Sequence, residues 1–156
     1  MEELTIRNAG PSDQQNFLKI LRLIREEMGH DSNDEGHLEE LTHLLCTPAY
    51  GGPRHHWLLL AERADELVGY CTLHRVPMPI VGGSEAYISD LFIRSDQRGH
   101  DIGHHMIDYV ESVAKEEGLV RLHVINRRDR ESHQRSFYPK LGFRERVETA
   151  DFVRPL

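Results

Sequence analysis

The segment from Ala86 to Gly118 limits the fold more than any other part of this 156-residue chain. Ala86–Ile93 (AYISDLFI) is rich in β-formers. It runs through SDQRGHDIGHH into Ile102, Met106, Ile107, Val110, Val113 and Ala114, apolar positions that recur at helical spacing. Gly118 suits a helix C-cap, and Leu119–Ile125 (LVRLHVI) reads as another strand. Strand, helix and strand in that order make a β-α-β crossover, so the sheet they belong to carries helices on its faces.

The rest of the chain adds antiparallel pieces. Leu4–Asn8 reads as a strand. Pro11-Ser12-Asp13 starts a helix, with Ser12 and Gln15 at capping-box spacing, and Phe17, Ile20, Leu21, Ile24 and Met28 give it an apolar face up to Gly29. The polar Asp31–Gly36 reads as a loop, 37–46 as a second helix, and Pro48 to Pro53 as a break. His56–Glu62 and Leu67–Val76 form a hairpin about Ala64-Asp65-Glu66, and Pro77, Pro79, Gly82 and Gly83 mark a loop. Residues 131–140 read as helix, and Gly142-Phe143 opens a last strand toward Phe152. The order β α α β β β α β α β predicts an α/β fold. Its sheet is mixed and largely antiparallel, with six to seven strands flanked by about four helices. Residues 1–156 are expected to form a single domain.

Composition narrows the function. At 38% apolar and 29% charged residues the chain has the balance of a soluble globular protein. No stretch reaches the roughly 18–20 apolar residues of a membrane span, and the acidic MEELTIRNAG has no apolar core of a signal peptide. Cys46 and Cys71 form neither a disulfide framework nor a CxxC zinc pattern, so a reducing cytoplasm is the expected setting. The net charge of −7 is uneven. Residues 1–120 hold 10 Lys and Arg against 21 Asp and Glu (−11), and residues 121–156 hold 9 against 5 (+4). An acidic body argues against nucleic acid as a partner, and the basic end suits a small anionic ligand or is simply a solvated surface.

Two segments carry chemistry. In the first, Arg98-Gly99-His100-Asp101-Ile102-Gly103 joins a buried strand to a helix. The first N–H groups of a helix lack internal partners and sit at the positive end of its dipole, so they favour phosphate. Glycines let the backbone approach, and an arginine adds charge-assisted bonds. An ordinary capped turn is the alternative. The second segment is Ser136-Phe137-Tyr138-Pro139-Lys140-Leu141-Gly142-Phe143, where a tyrosine lies mid-helix before a glycine and a strand.

Together, in this order and about 40 residues apart, the two segments resemble the GNAT superfamily of N-acetyltransferases, and the element order extends the resemblance over nearly the whole chain. The family's acetyl-CoA motif, R/Q-x-x-G-x-G/A, is matched by Arg98 and Gly103 at its ends, with Gln97-Arg98-Gly99 as the lead-in. Its later motif, F/L-Y-x-x-x-G-F, is matched from Phe137 to Phe143. Two positions depart. Asp101 stands at the middle glycine; a carboxylate about 4–6 Å from a pyrophosphate costs roughly 3–4 kcal/mol at an effective dielectric near 20, and below about 1 kcal/mol if it points into water, which is the expected case. Glu131 stands where the family often has an Asn that contacts the cofactor, and Asn126 is out of register.

The resemblance implies acetyl-CoA as co-substrate and direct transfer of its acetyl group to a primary amine, and the acidic body favours a small cationic acceptor such as a polyamine or an amino sugar. The implied cofactor-binding residues are Leu91, Phe92, Ile93, Arg98, Gly99, His100, Asp101, Ile102 and Gly103, with a backbone N–H near Phe92 or Ile93 polarising the thioester carbonyl. Tyr138 takes the general acid's place. Asp90 is the candidate base, in a strand that looks like the acidic strand of the polyamine-acetylating branch. Strand alternation puts it on one face with Ile88 and Phe92, opposite Tyr87, Ser89 and Leu91. A structural Asp paired with an arginine is the other reading of that residue. Glu85 and His133 are further candidates. Arg127, Arg128, Arg130 and Arg135 suit the cofactor's 3′-phosphate or a solvated loop.

Other chemistries fit less well. The eleven histidines include His100 and His104 at i,i+4, but there is no HExxH and no third ligand, so no metal is expected. Gly82-Gly83-Ser84-Glu85 lacks the second glycine of a GxSxG elbow. Two rivals remain on the same fold: a non-catalytic acyl-CoA-binding or regulatory domain, and an enzyme acting on protein N-termini or lysines. A homodimer, paired through the Phe152-Val153 end, is a further expectation.

Overall fold

The computed structural model describes residues 3–30, 35–47 and 53–156. The expected loop at 31–36 and break at 48–53 lie largely outside that range. The chain divides into two compact units, Met1–Val124 and Ile125–Leu156.

In the first unit, β1 (Leu4–Asn8) is followed by α1 (Gln14–Glu27) and α2 (Glu35–Cys46). Then come β2 (His56–Arg63), β3 (Glu66–Met78), β4 (Gly83–Ile93), α3 (Ile102–Glu116) and β5 (Leu122–Val124). The strands form one mixed sheet in the order β1-β2-β3-β4-β5. The first three pairings are antiparallel, and β5 joins β4 in parallel across the α3 crossover.

Each element has a local cause. The turn Pro11–Asp13 that leads into α1 is closed by Asp13 rather than by Ser12 and Gln15: the Asp13 carboxylate accepts the Gly10 N–H at 2.7 Å and the Arg7 guanidinium at 2.7 and 2.9 Å. Ala64 and Asp65 both have positive φ, the geometry that matches a two-residue hairpin turn to the twist of β2 and β3. Of the residues expected to be a loop at 77–83, Pro77, Met78 and Gly83 extend β3 and β4, and the chain reverses over residues 79–82, with Gly82 at φ +79°.

The core lies on both faces of the sheet. Trp57 to Ala61 of β2 are five consecutive buried residues, the mark of a strand covered on both sides. Phe17 and Ile24 of α1 and Leu45 and Cys46 of α2 join Leu58, Leu60, Leu67 and Tyr70, with Phe92 packed against them. α3 buries all six of its helically spaced apolar residues and packs against β1, β3 and β4.

The second unit holds α4 (Glu131–Gln134) and α5 (Phe137–Lys140). One helix was expected over 131–140. Pro139 explains the division: inside a continuous helix it would remove a bond to the carbonyl of Arg135 and clash with it, whereas in the first turn of α5 it has no such bond to lose. Ser136 turns the chain between them at φ +56°. The strand expected from Gly142 toward Phe152 does not form. Between Arg144 and Asp151 only Val147 and Ala150 are apolar, so a strand there has almost nothing to bury on either face. Val147, Phe152 and Val153 are exposed. The described sheet therefore has five strands, not six or seven, and the described residues hold five α-helices.

Candidate active site

β4 departs from simple alternation at one point. Thr72 of β3 pairs with Asp90 of β4, but the next residue, Leu73, pairs with Ile88, so Ser89 is the extra residue of a β-bulge. The bulge shifts the phase of everything after it. Tyr87, Ser89, Asp90 and Phe92 all make contacts on the face that carries Tyr70, Thr72 and His74. The expected grouping of Ile88 with Asp90, opposite Ser89, is corrected accordingly. A bulge cannot be read from a two-residue period, which is why Thr72, His74 and Ser89 had no role in the sequence reading.

These side chains form a continuous polar run. Thr72 Oγ1 donates to Asp90 Oδ2 at 3.2 Å and lies 2.6 Å from Ser89 Oγ. Ser89 Oγ is 2.8 Å from His74 Nε2. Asp90 and Ser89 are exposed, Thr72 is buried and His74 is half-buried. Burial holds the His74 imidazole below the ordinary histidine range, His56 across the β2–β3 ladder adds to this, and Asp90 opposes it.

Glu85, the second candidate base, has a different setting. Its buried carboxylate accepts Arg121 Nε at 2.7 Å on one oxygen and faces His123 Nδ1 at 3.0 Å on the other. Burial alone would raise this carboxyl, but the Arg121 and His123 hydrogen bonds outweigh it and hold it below the usual carboxylate range. Glu85 thus ties β4 to the β5 end of the sheet. The His123 ring lies 5.5 Å from Tyr87, which lies 6.3 Å from His74.

Beyond the bulge, β4 has an open edge. The β4–β5 ladder covers only Ala86 to Ile88, while β4 continues to Ile93. The Arg94 N–H bonds Val68 O at 2.9 Å. Alternation therefore turns the N–H groups of Ile93 and Leu91 to the opposite edge, which no described ladder residue covers. The Phe92 N–H faces β3 instead, and its ring stacks on Tyr70 at 6.3 Å.

The chain then enters the glycine turn. Arg98 reaches back to the Ile93 carbonyl with Nε at 3.1 Å and sets its guanidinium over the Phe92 ring. Gly99 has φ +82° and open space where a Cβ would stand. His100 Nδ1 lies 3.3 Å from Gln97 O. Asp101, exposed and left-handed at φ +56°, starts α3 without a side-chain cap, and its carbonyl accepts the His105 N–H at 3.0 Å. Ile102 is buried in the core, so only its backbone faces outward with that of Gly103. The open backbone at Gly99 beside the uncapped start of a 15-residue helix fits a pyrophosphate group.

Tyr138 belongs to the second unit. Its ring meets Phe137 and Phe143 edge-on at 5.0 and 5.3 Å, and its carbonyl accepts the Phe143 N–H at 3.1 Å. Arg127 pairs with Asp129, Arg128 with Glu145, and Arg135 with Glu131. The Asn126 side-chain oxygen accepts Ser132 Oγ at 2.9 Å. Among the described residues no group of three or more His, Cys, Asp or Glu is placed to hold a metal ion, and no helix is long and apolar enough to cross a membrane.

The sheet, its crossover and the glycine turn are those of an acetyltransferase, and the Acetyltransferase (GNAT) family model matches residues 17–143. The chain belongs to that family. No curated protein matches it. Among solved structures it is similar to a ribosomal-protein-alanine N-acetyltransferase from Brucella melitensis biovar Abortus 2308, at 18% identity and a TM-score of 0.75 over 99% of both chains. An aminoglycoside acetyltransferase from an uncultured soil metagenomic sample is 18% identical with a TM-score of 0.76, over 98% of this chain and 96% of that one. A transcriptional regulator from Bacillus halodurans C-125 is 21% identical with a TM-score of 0.72, over 99% of this chain and all of that one. At these identities the likeness is one of fold.

Proposed function

We propose that the chain is an acetyl-CoA-dependent N-acetyltransferase whose acceptor is a small primary amine. The observation that carries this reading is the course of β4. One strand brings an exposed carboxylate, Asp90, to a bulge, then presents an open edge, then feeds the glycine turn at the start of α3. The family model crosses the boundary between the two units, which supports their acting as one acetyltransferase domain.

When bound, acetyl-CoA supplies the activated acetyl thioester. Gly99 and the N–H groups of Gly103 and its neighbours hold the pyrophosphate, with Arg98 adding positive charge. The Leu91 and Ile93 N–H groups are the donors available to polarise the thioester carbonyl, an oxyanion-hole function. Asp90 removes a proton from the acceptor amine. Tyr138 is assigned as the acid for the leaving thiolate on the later motif alone. Glu85, with both oxygens engaged, is set aside as a base. The acidic body favours cationic acceptors, and amino sugars and polyamines are the first to try.

Thiol release with an amine panel tests this. Asp90→Asn and Tyr138→Phe are each expected to lower kcat by ~10²-fold or more while acetyl-CoA binding persists. Wild-type turnover in both variants would remove the catalytic assignment. Asp101 favours a second reading, a regulatory acyl-CoA-binding domain, which predicts binding without turnover of any amine or peptide.

A further inference from the structure

The polar run on β3 and β4 has more members than a single base requires. Asp90, Thr72, Ser89 and His74 form three successive contacts at 3.2, 2.6 and 2.8 Å. Both inner members are hydroxyls. Each hydroxyl carries one hydrogen and can accept at its lone pairs, so the chain of bonds can run in either direction. Its two ends are a carboxylate and an imidazole, both of which can take up a proton. We propose that Thr72 and Ser89 form a proton wire that carries the acceptor's proton from Asp90 to His74.

The step balances without an outside reagent. Asp90 takes a proton from the acceptor's ammonium group and passes it to Thr72 Oγ1. Once Asp90 is protonated, the Thr72 hydroxyl turns its hydrogen from Asp90 Oδ2 to Ser89 Oγ and gives it up there, and Ser89 gives its own to His74 Nε2. One N–H bond breaks on the acceptor and one forms on the imidazole, and both hydroxyls and the carboxylate end as they began. The imidazolium then releases its proton to solvent. The groups facing His74 are His56 from β2 and Asp90 and Tyr87 from β4, with the Glu85–Arg121–His123 cluster beyond Tyr87. Burial and His56 keep His74 neutral and able to accept at neutral pH, and Asp90 at the far end favours its protonated form. The bulge makes the run possible, because without the extra residue Ser89 would face away from His74.

This proposal rests on the acetyltransferase reading. Its test is the pH profile of kcat and kcat/KM for the full chain and its Thr72→Val, Thr72→Ser, Ser89→Ala and His74→Gln variants, with acetyl-CoA and an amine that the wild type accepts. Thr72→Val and Ser89→Ala are expected to lower kcat by about tenfold or more with the KM for acetyl-CoA unchanged. Both should lose the acidic inflection that His74 gives the wild type, as should His74→Gln. Thr72→Ser, which keeps the hydroxyl, restores both rate and inflection. Wild-type kcat and pH profile in Thr72→Val, or equal loss in Thr72→Ser, overturns the wire and leaves the acetyltransferase reading standing. No turnover of any amine by the wild type overturns both.

Discussion

Asp101 is the residue at which the family's pattern and this chain disagree most sharply. Its backbone is left-handed, a conformation that suits glycine and that Asp tolerates better than most residues. Its side chain is exposed and caps nothing. A carboxylate turned into water repels a bound pyrophosphate by less than about 1 kcal/mol. Asp101→Gly should therefore tighten acetyl-CoA binding by no more than about fivefold in a calorimetric titration. A gain of a hundredfold or more would place the carboxylate against the phosphates. Glu85 gives a second prediction. Its pKa is depressed in the folded state, so the stabilisation it provides is present above the unfolded carboxyl's pKa of about 4.3 and is lost as pH falls through the lower folded value. Glu85→Gln should lower unfolding stability by roughly 1–3 kcal/mol at pH 7. The deficit should shrink below about pH 4. A deficit that is independent of pH would mean that shape, not charge, holds the Arg121 and His123 ends together.

At the scale of elements, the candidate site depends on how closely β3 lies against the end of β4. A Cβ on Gly69 would stand 2.7 Å from the Phe92 carbonyl oxygen, a backbone atom that cannot swing aside. Gly69→Ala should force the strands apart where Leu91 and Ile93 turn their N–H groups outward. The expected loss is about 1–3 kcal/mol in chemical denaturation together with weaker acetyl-CoA binding. Unchanged binding would separate that edge from the cofactor site. Most elements were legible because their signals are local: the periodic face of α3, the hairpin turn at Ala64-Asp65, the β-formers of β4. The misses share a cause in pairing and context. The Ser89 bulge is a property of two strands together, so the shared face of Ser89, Asp90, Thr72 and His74 could not be seen in one of them. Pro139 divided the helix read over 131–140, and the charged 144–151 segment lacked the apolar residues to become a strand.

For the whole molecule, the fold and family were carried by two motifs and an element order, and the structure adds the setting in which they act. Arg98, Gly99, Asp101 and Gly103 could be proposed from sequence because phosphate recognition uses backbone and glycine, which motifs record well. The candidate base was harder to choose, since an Asp in a strand has several fates and only geometry shows that Asp90 is exposed while Glu85 is engaged. The charge split is −11 over residues 1–120 against +4 over residues 121–156. The central claim is that the turn from Arg98 to Gly103 binds acetyl-CoA. Isothermal titration of the full chain with acetyl-CoA, against adenosine diphosphate as the control, tests it directly. The account predicts micromolar, one-to-one binding that prefers acetyl-CoA. A folded protein that shows no heat of binding at millimolar acetyl-CoA would contradict it.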